Sequence, residues 1–157
     1  MKLADVLSTE TIDLGDHVFS CRDEAFMHMA KMLYHSGSIT GIEGYLELLA
    51  QREALGSTYM GDYLAVPHGK GAAVKHNAAA LCRCKPFEYE SCGESGEVGI
   101  IMMLAITDQA DDAKYLKILS SLARLLMNEN FRHAINCAND AQTILDVGEG
   151  ILQENEK

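Results

Sequence analysis

Positive charge is scarce in this sequence. Lysine and arginine total 13 against 23 aspartates and glutamates, a net charge of −10. That balance keeps a chain in solution and repels nucleic-acid phosphates and anionic membranes, so neither nucleic-acid binding nor direct membrane insertion is expected. Long apolar runs are missing too. The longest, Ile100 to Ile106, falls far short of the about 20 residues needed to cross a bilayer. The opening Met1-Lys2-Leu3-Ala4-Asp5 has no apolar core of the secretory kind. No long acidic block, internal repeat or low-complexity segment is found. The five cysteines are an odd number for a disulfide framework. A chain of 157 residues hides enough surface to fold without covalent staples. Free thiols in a cytoplasmic protein are the simplest account.

What is present reads as one domain over residues 1–152, with a frayed tail at 153–157. An apolar piece ending in His17-Val18-Phe19 predicts a strand. Ser20-Cys21-Arg22-Asp23 is a near capping box opening a helix, whose apolar face is Ala25, Phe26, Met29, Ala30 and Leu33 and whose stop is Gly37. Thr40-Gly41-Ile42-Glu43 is a full capping box for a second helix that ends near Gln51-Arg52-Glu53. A loop over 56–62 leads to a strand at 63–66, and 69–76 reads as a connection. Strands are predicted over 77–84, stopped by Lys85-Pro86-Phe87, and over 98–106, with a polar hairpin or loop between them. A helix over 111–127 carries Leu116, Leu119, Leu122, Ala123 and Leu126 on one face, widened by Ile118 and Leu125. Two short helices follow, the last ending at Gly148 to Gly150. This order predicts an α/β fold: a three-layer sandwich with a mixed central β-sheet and helices on both faces.

The chemistry concentrates in Tyr63-Leu64-Ala65-Val66-Pro67-His68-Gly69-Lys70, where an apolar run stops at one of only two prolines. A neutral imidazole is a good nucleophile near pH 7. Phosphoryl transfer asks a protein for an in-line nucleophile and fixed donors for the phosphoryl oxygens. Arg52 can supply a bidentate charge, Ser57 and Thr58 hydroxyl donors, and Gly69 and Gly71 a bare backbone for close approach. On spacing alone, a histidine that merely caps a turn fits Pro-His-Gly equally well. A hydrolase with His68 as general base has no identifiable nucleophile or metal partner. No metal site is expected. Cys82 and Cys84 alternate onto one strand face without a set of four ligands, even with Cys92 downstream. His28 and His35 share a helix face but lack a carboxylate or cysteine at clear spacing. His17, His76 and His133 read as surface or boundary residues, and Cys21 and Cys137 as ordinary thiols.

Residues 51–70, Gln-Arg-Glu-Ala-Leu-Gly-Ser-Thr-Tyr-Met-Gly-Asp-Tyr-Leu-Ala-Val-Pro-His-Gly-Lys, resemble the signature of the enzyme IIA domains of the sugar phosphotransferase system. The branch is the mannitol/fructose type, which includes the nitrogen-regulatory members. An Arg-Glu pair, a Ser-Thr pair and a strand ending in Pro-His occur in the family's order. The likeness extends to the 98–106 strand, Asp108 and the Leu-rich helical stretch Tyr115-Leu116-Lys117-Ile118-Leu119-Ser120-Ser121-Leu122-Ala123. The resemblance implies a phosphotransferase in which His68 accepts a phosphoryl group on Nε2 from the phosphocarrier protein HPr. It then passes the group to a IIB component, linked in turn to a membrane-embedded IIC component that takes up the sugar. Arg52, Ser57 and Thr58 would lie near the phosphoryl group, and no cofactor is implied. One departure stands out: many members carry a second active-site histidine where this chain has Tyr115. A phenol donates a hydrogen bond but carries no positive charge at neutral pH. That difference leaves open a regulatory member whose phosphorylation state controls partner binding.

Overall fold

The computed structural model describes residues 1–156. Two short 3-10 turns, Leu3–Asp5 and Thr9–Thr11, precede strand β1, Ile12–His17. Helices α1, Arg22–His35, and α2, Ile42–Glu53, follow. Then come β2, Tyr59–Gly61; β3, Leu64–Ala65; β4, His68–Gly71; β5, Ala78–Ser91; and β6, Glu94–Thr107. Helices α3, Asp112–Met127, α4, Glu129–Cys137, and α5, Ala141–Asn155, complete the chain. The sheet runs β1-β5-β6-β3-β2, with β4 also on β6. β1 is parallel to β5, β5 antiparallel to β6, and β3 and β4 both parallel to β6. This is the mixed sheet of an α/β three-layer sandwich.

The two faces of the sheet follow from side-chain alternation along the strands. Ala80, Cys82, Cys84, Ile101, Met103 and Ala105 pack against α1 and α2. Ala79, Leu81, Met102, Leu104 and Ile106 pack against α3, α4 and α5. Such a double cover explains why residues 98–106 are apolar without alternation. The predicted α1 face is wholly buried. On α3 the buried stripe is Ile118, Leu122, Leu125 and Leu126, and Leu116 is 59% exposed, so the helix is rotated relative to the predicted face.

Several boundaries differ from expectation for local reasons. β1 stops at His17 and Val18 is exposed. Neither capping box forms. Ser20 bonds Glu24 instead, and Thr40 bonds the Ala73 carbonyl. β5 runs past Pro86 because a register irregularity between Arg83 and Phe87 absorbs the missing N–H. The hairpin then turns on Cys92 and Gly93, both at positive φ, as a tight two-residue connection of right-twisted strands requires. The segment read as a connection after His68 is strand β4. Helix α5 passes through Gly148, where a Cβ would sit 2.6 Å from Leu3 Cδ2 and 3.0 Å from Phe131. That glycine permits close packing and does not stop the helix. Of the tail expected to fray, residues 153–155 are helical, and Lys157 lies outside the described residues.

The glycines of β4 seat α2 against the sheet. A Cβ on Gly69 would lie 3.0 Å from Leu48 Cβ and 3.4 Å from the Leu48 and Leu49 backbone, and one on Gly71 2.7 Å from Leu48 Cδ2. The expectation that these glycines leave the backbone bare for an incoming group is therefore corrected: Leu48 occupies that space. Because the atoms facing Gly69 are backbone or close to it, Gly69→Ala is expected to cost about 1–3 kcal/mol. In a domain of this size that lowers the thermal midpoint by roughly 2–4 °C per kcal/mol. Thermal denaturation against wild type checks it; an unchanged midpoint would contradict the packing assigned to α2.

Candidate functional site

The site is built on an interruption of one parallel ladder. Leu64 and Ala65 pair with Ile100 and Ile101, and His68 to Gly71 pair with Leu104 to Thr107, in the same register. The gap between β3 and β4 is Val66-Pro67. Proline has no N–H to contribute. The Val66 carbonyl instead accepts a bond of 2.8 Å from the Nδ1–H of His68, two residues on. Pairing resumes at once, with the Leu104 N–H donating to the Pro67 carbonyl at 3.0 Å. His68 is 4% exposed and rigidly framed.

The tautomer follows from hydrogen-bond inventory. Arg52, in the last turn of α2, places Nε 3.0 Å from His68 Nε2. A guanidinium only donates, so Nε2 must be the acceptor and Nδ1 must carry the proton. The ring is thus held neutral with its Nε2 lone pair directed at a cation. Its pKa is held below the ordinary value of 6.5, first by burial and then by the Arg52 charge, against the opposing pulls of the Val66 carbonyl and Glu53. Arg52 is itself anchored, with Nη1 donating to the Gly56 carbonyl at 2.8 Å.

Tyr115 does meet His68. It lies in the first turn of α3, and its ring centroid is 5.9 Å from the imidazole, tilted by 54°. Burial pushes its phenol pKa up, and the neighbouring Arg52 guanidinium opposes that rise. Lys70 Nζ lies 5.6 Å from the Tyr115 ring centroid and 3.7 Å from Asp112. Thus His68, Arg52, Tyr115 and Lys70 form one cluster between α2, β4 and α3.

The hydroxyl pair is arranged differently. Ser57 Oγ accepts the Tyr59 N–H at 3.1 Å, closing its own turn. Thr58 is buried; its hydroxyl bonds the Glu53 carboxylate and lies 2.7 Å from the Tyr89 hydroxyl. Ser91 donates to the other oxygen of Glu53. Glu53, only 3% exposed, is therefore surrounded by three hydroxyls. It is the next residue after Arg52, and these bonds tie the end of α2 to the β5–β6 hairpin. The sequence showed Glu53 only as half of the Arg-Glu pair and assigned it no role of its own. Tyr45, fully buried, donates from α2 to the Leu104 carbonyl at 2.5 Å, tying the same helix to the β6 residue opposite His68.

The remaining candidates lie elsewhere. Cys82 and Cys84 are buried in the core beneath α1, and burial raises the thiol pKa of both, that of Cys84 to about 11. All five cysteines are free thiols. His17, read as a boundary residue, and His28 both meet Asp13. No described helix is long and apolar enough to cross a membrane.

Comparison with known proteins places the chain. A family model described as "Phosphoenolpyruvate-dependent sugar phosphotransferase system, EIIA 2" matches residues 5–149. The 2-O-alpha-mannosyl-D-glycerate-specific EIIABC component of Escherichia coli is 33% identical over 128 residues, covering 81% of this chain and 20% of that protein. The fructose-specific EIIABC component of Bacillus subtilis is 30% identical over 148 residues, covering 94% of this chain and 23% of that protein. The chain thus spans about a fifth of the length of these curated relatives. The crystal structure of the nitrogen regulatory protein IIA-Ntr from Neisseria meningitidis superposes with a TM-score of 0.79 at 25% identity, covering 91% of this chain and 96% of that one. With residues 5–149, nearly its whole length, matched by the family model, the chain belongs to the EIIA type 2 family of the phosphoenolpyruvate-dependent sugar phosphotransferase system.

Proposed function

We propose that this protein is a phosphocarrier that accepts a phosphoryl group on His68 Nε2 from the phosphorylated histidine of HPr and delivers it to a IIB component. One observation carries the reading: Nδ1–H is fixed on the Val66 carbonyl, so the lone pair of a neutral imidazole stands at Nε2, facing Arg52. In the forward step the Nε2 pair forms the new N–P bond as the donor's N–P bond breaks, and the departing nitrogen keeps its electron pair. No proton need move on His68, because Nδ1–H stays on Val66 throughout. The Nε–H of Arg52 shifts from the nitrogen to a phosphoryl oxygen, exchanging a neutral acceptor for an anionic one. Lys70 adds charge nearby, and Tyr115 offers a phenol O–H on the same side. Ser57 is free to turn its O–H toward the phosphoryl group. Thr58 acts through Glu53, holding the end of α2 from which Arg52 projects. The free thiols suit action in the cytoplasm.

A regulatory role for the same phosphohistidine is the second reading. Tyr115 favours it, since a neutral ring stands where the family often carries a second histidine, and the solved relative with a TM-score of 0.79 is a nitrogen regulatory protein.

Incubation with phosphoenolpyruvate, enzyme I and HPr is expected to leave an acid-labile, alkali-stable phosphate on the wild type and none on His68→Ala. An unlabelled wild type overturns both readings, and label that no IIB component accepts selects the regulator. Removing one transition-state donor slows such reactions by about 100-fold or more. Arg52→Met should do so here.

The pH profile has a definite sign. A depressed pKa keeps His68 neutral below pH 6.5, so acceptance should hold steady through that value and fall only in more acid solution. Arg52→Met should move the acid limb upward, toward the ordinary histidine value, as measured by NMR titration of the ring. Tyr115→Phe keeps the packing on His68 and loses only the O–H, and is expected to slow acceptance by less than about tenfold, the scale of one neutral hydrogen bond. A larger loss, read from single-turnover labelling, would give the phenol a greater part.

A further inference from the structure

Asp13, His17 and His28 converge from two elements. Asp13 and His17 project from the same face of β1, and His28 comes down from α1. Both imidazoles direct Nε2 at one atom, Asp13 Oδ2, each at 2.8 Å. The rings lie 4.3 Å apart at 49°, with Phe19 beside both. The three side chains are between a quarter and a third exposed, open to solvent on one side.

Two details give the cluster the character of a site. First, the other oxygen of the carboxylate, Oδ1, accepts the Gly15 N–H at 2.9 Å, so Oδ2 is aimed while its partner is satisfied. Metal-binding carboxylates are oriented in the same way by outer hydrogen bonds. Second, Gly15 lies between the two β1 side chains. A Cβ there would come 2.9 Å from His17 Nε2 and 3.2 Å from Asp13 Oδ1. The missing side chain is what leaves room at the point where the donors meet.

We propose that Asp13, His17 and His28 bind a borderline divalent transition metal of the zinc class, with Nε2, Nε2 and Oδ2 as protein ligands and water completing the shell. Two imidazoles and one carboxylate suit such an ion better than magnesium or calcium, which take oxygen ligands. Metal–ligand bonds of about 2.0–2.2 Å place tetrahedral ligands roughly 3.3 Å apart. The three donor atoms, all within 4.8 Å of one another, need only a small opening of the present contacts. The ion would clip edge strand β1 to α1. It would stand apart from His68, since β5 and β6 intervene between β1 and β4.

Titrating the metal-free full chain with Co²⁺, followed by Zn²⁺ displacement and calorimetry, tests the proposal. One ion per chain is expected, with visible d–d absorption, no sulfur-to-metal charge-transfer band, and a rise in the thermal midpoint with Zn²⁺. Affinity should fall at least tenfold in Asp13→Asn and His28→Ala, and also in Gly15→Ala, which fills the gap without removing a ligand. It should be unchanged in Cys137→Ser, which removes a thiol 3.8 Å from His133 and so controls for a second weak site. Circular dichroism verifies folding, and His17→Gln decides the matter if another variant fails to fold. A hydrogen-bonded trio only, seen as no binding at millimolar metal, overturns the proposal. So does a thiolate band at first equivalence, or binding indifferent to the triad variants.

Discussion

A single hydrogen bond, from His68 Nδ1–H to the Val66 carbonyl, sets the terms for everything around it. It spans Pro67, within the break between two segments that otherwise run along β6 in one register. The Val66 carbonyl fixes both the rotation of the ring and the position of its proton. Everything else then acts on a lone pair of known direction: Arg52 on it, Tyr115 beside it, burial keeping it neutral.

Holding Arg52 in place is the work of α2, and α2 is fixed at three points. Gly69 and Gly71 let Leu48 approach the sheet closely. Tyr45 reaches the Leu104 carbonyl beneath the helix. Glu53, with Thr58, Tyr89 and Ser91, anchors its end to the long hairpin. A buried carboxylate is costly without partners, and three hydroxyl contacts supply them. The placement of Arg52 beside His68 therefore depends on residues outside that pair.

Much of this was legible in the sequence, for identifiable reasons. Apolar runs and helical spacing reveal elements because burial imposes period and length, so the α1 face and the 98–106 strand are readable. The Pro-His junction is readable because both residues act locally. The destination of the Thr58 hydroxyl is not, since Tyr89 lies 31 positions away and only the folded sheet brings it near. Gly69 looks the same in sequence whether its open face meets a ligand or Leu48. The α3 stripe was misplaced because leucines on several faces leave the choice to tertiary contacts. The meeting of Asp13, His17 and His28 was illegible because strand and helix obey different periods, and no spacing rule spans them.

The position of Arg52 also sets what the resting protein will ignore. Its guanidinium occupies the lone pair that the proposed transfer would use. An uncharged electrophile offers that cation nothing to move toward, and meets a nitrogen already engaged. A group bearing anionic oxygens carries its own inducement, because the bond that must be given up is replaced by a stronger one. On the proposed carrier reading, discrimination at His68 thus begins before any chemistry, as a competition between two acceptors for one donor.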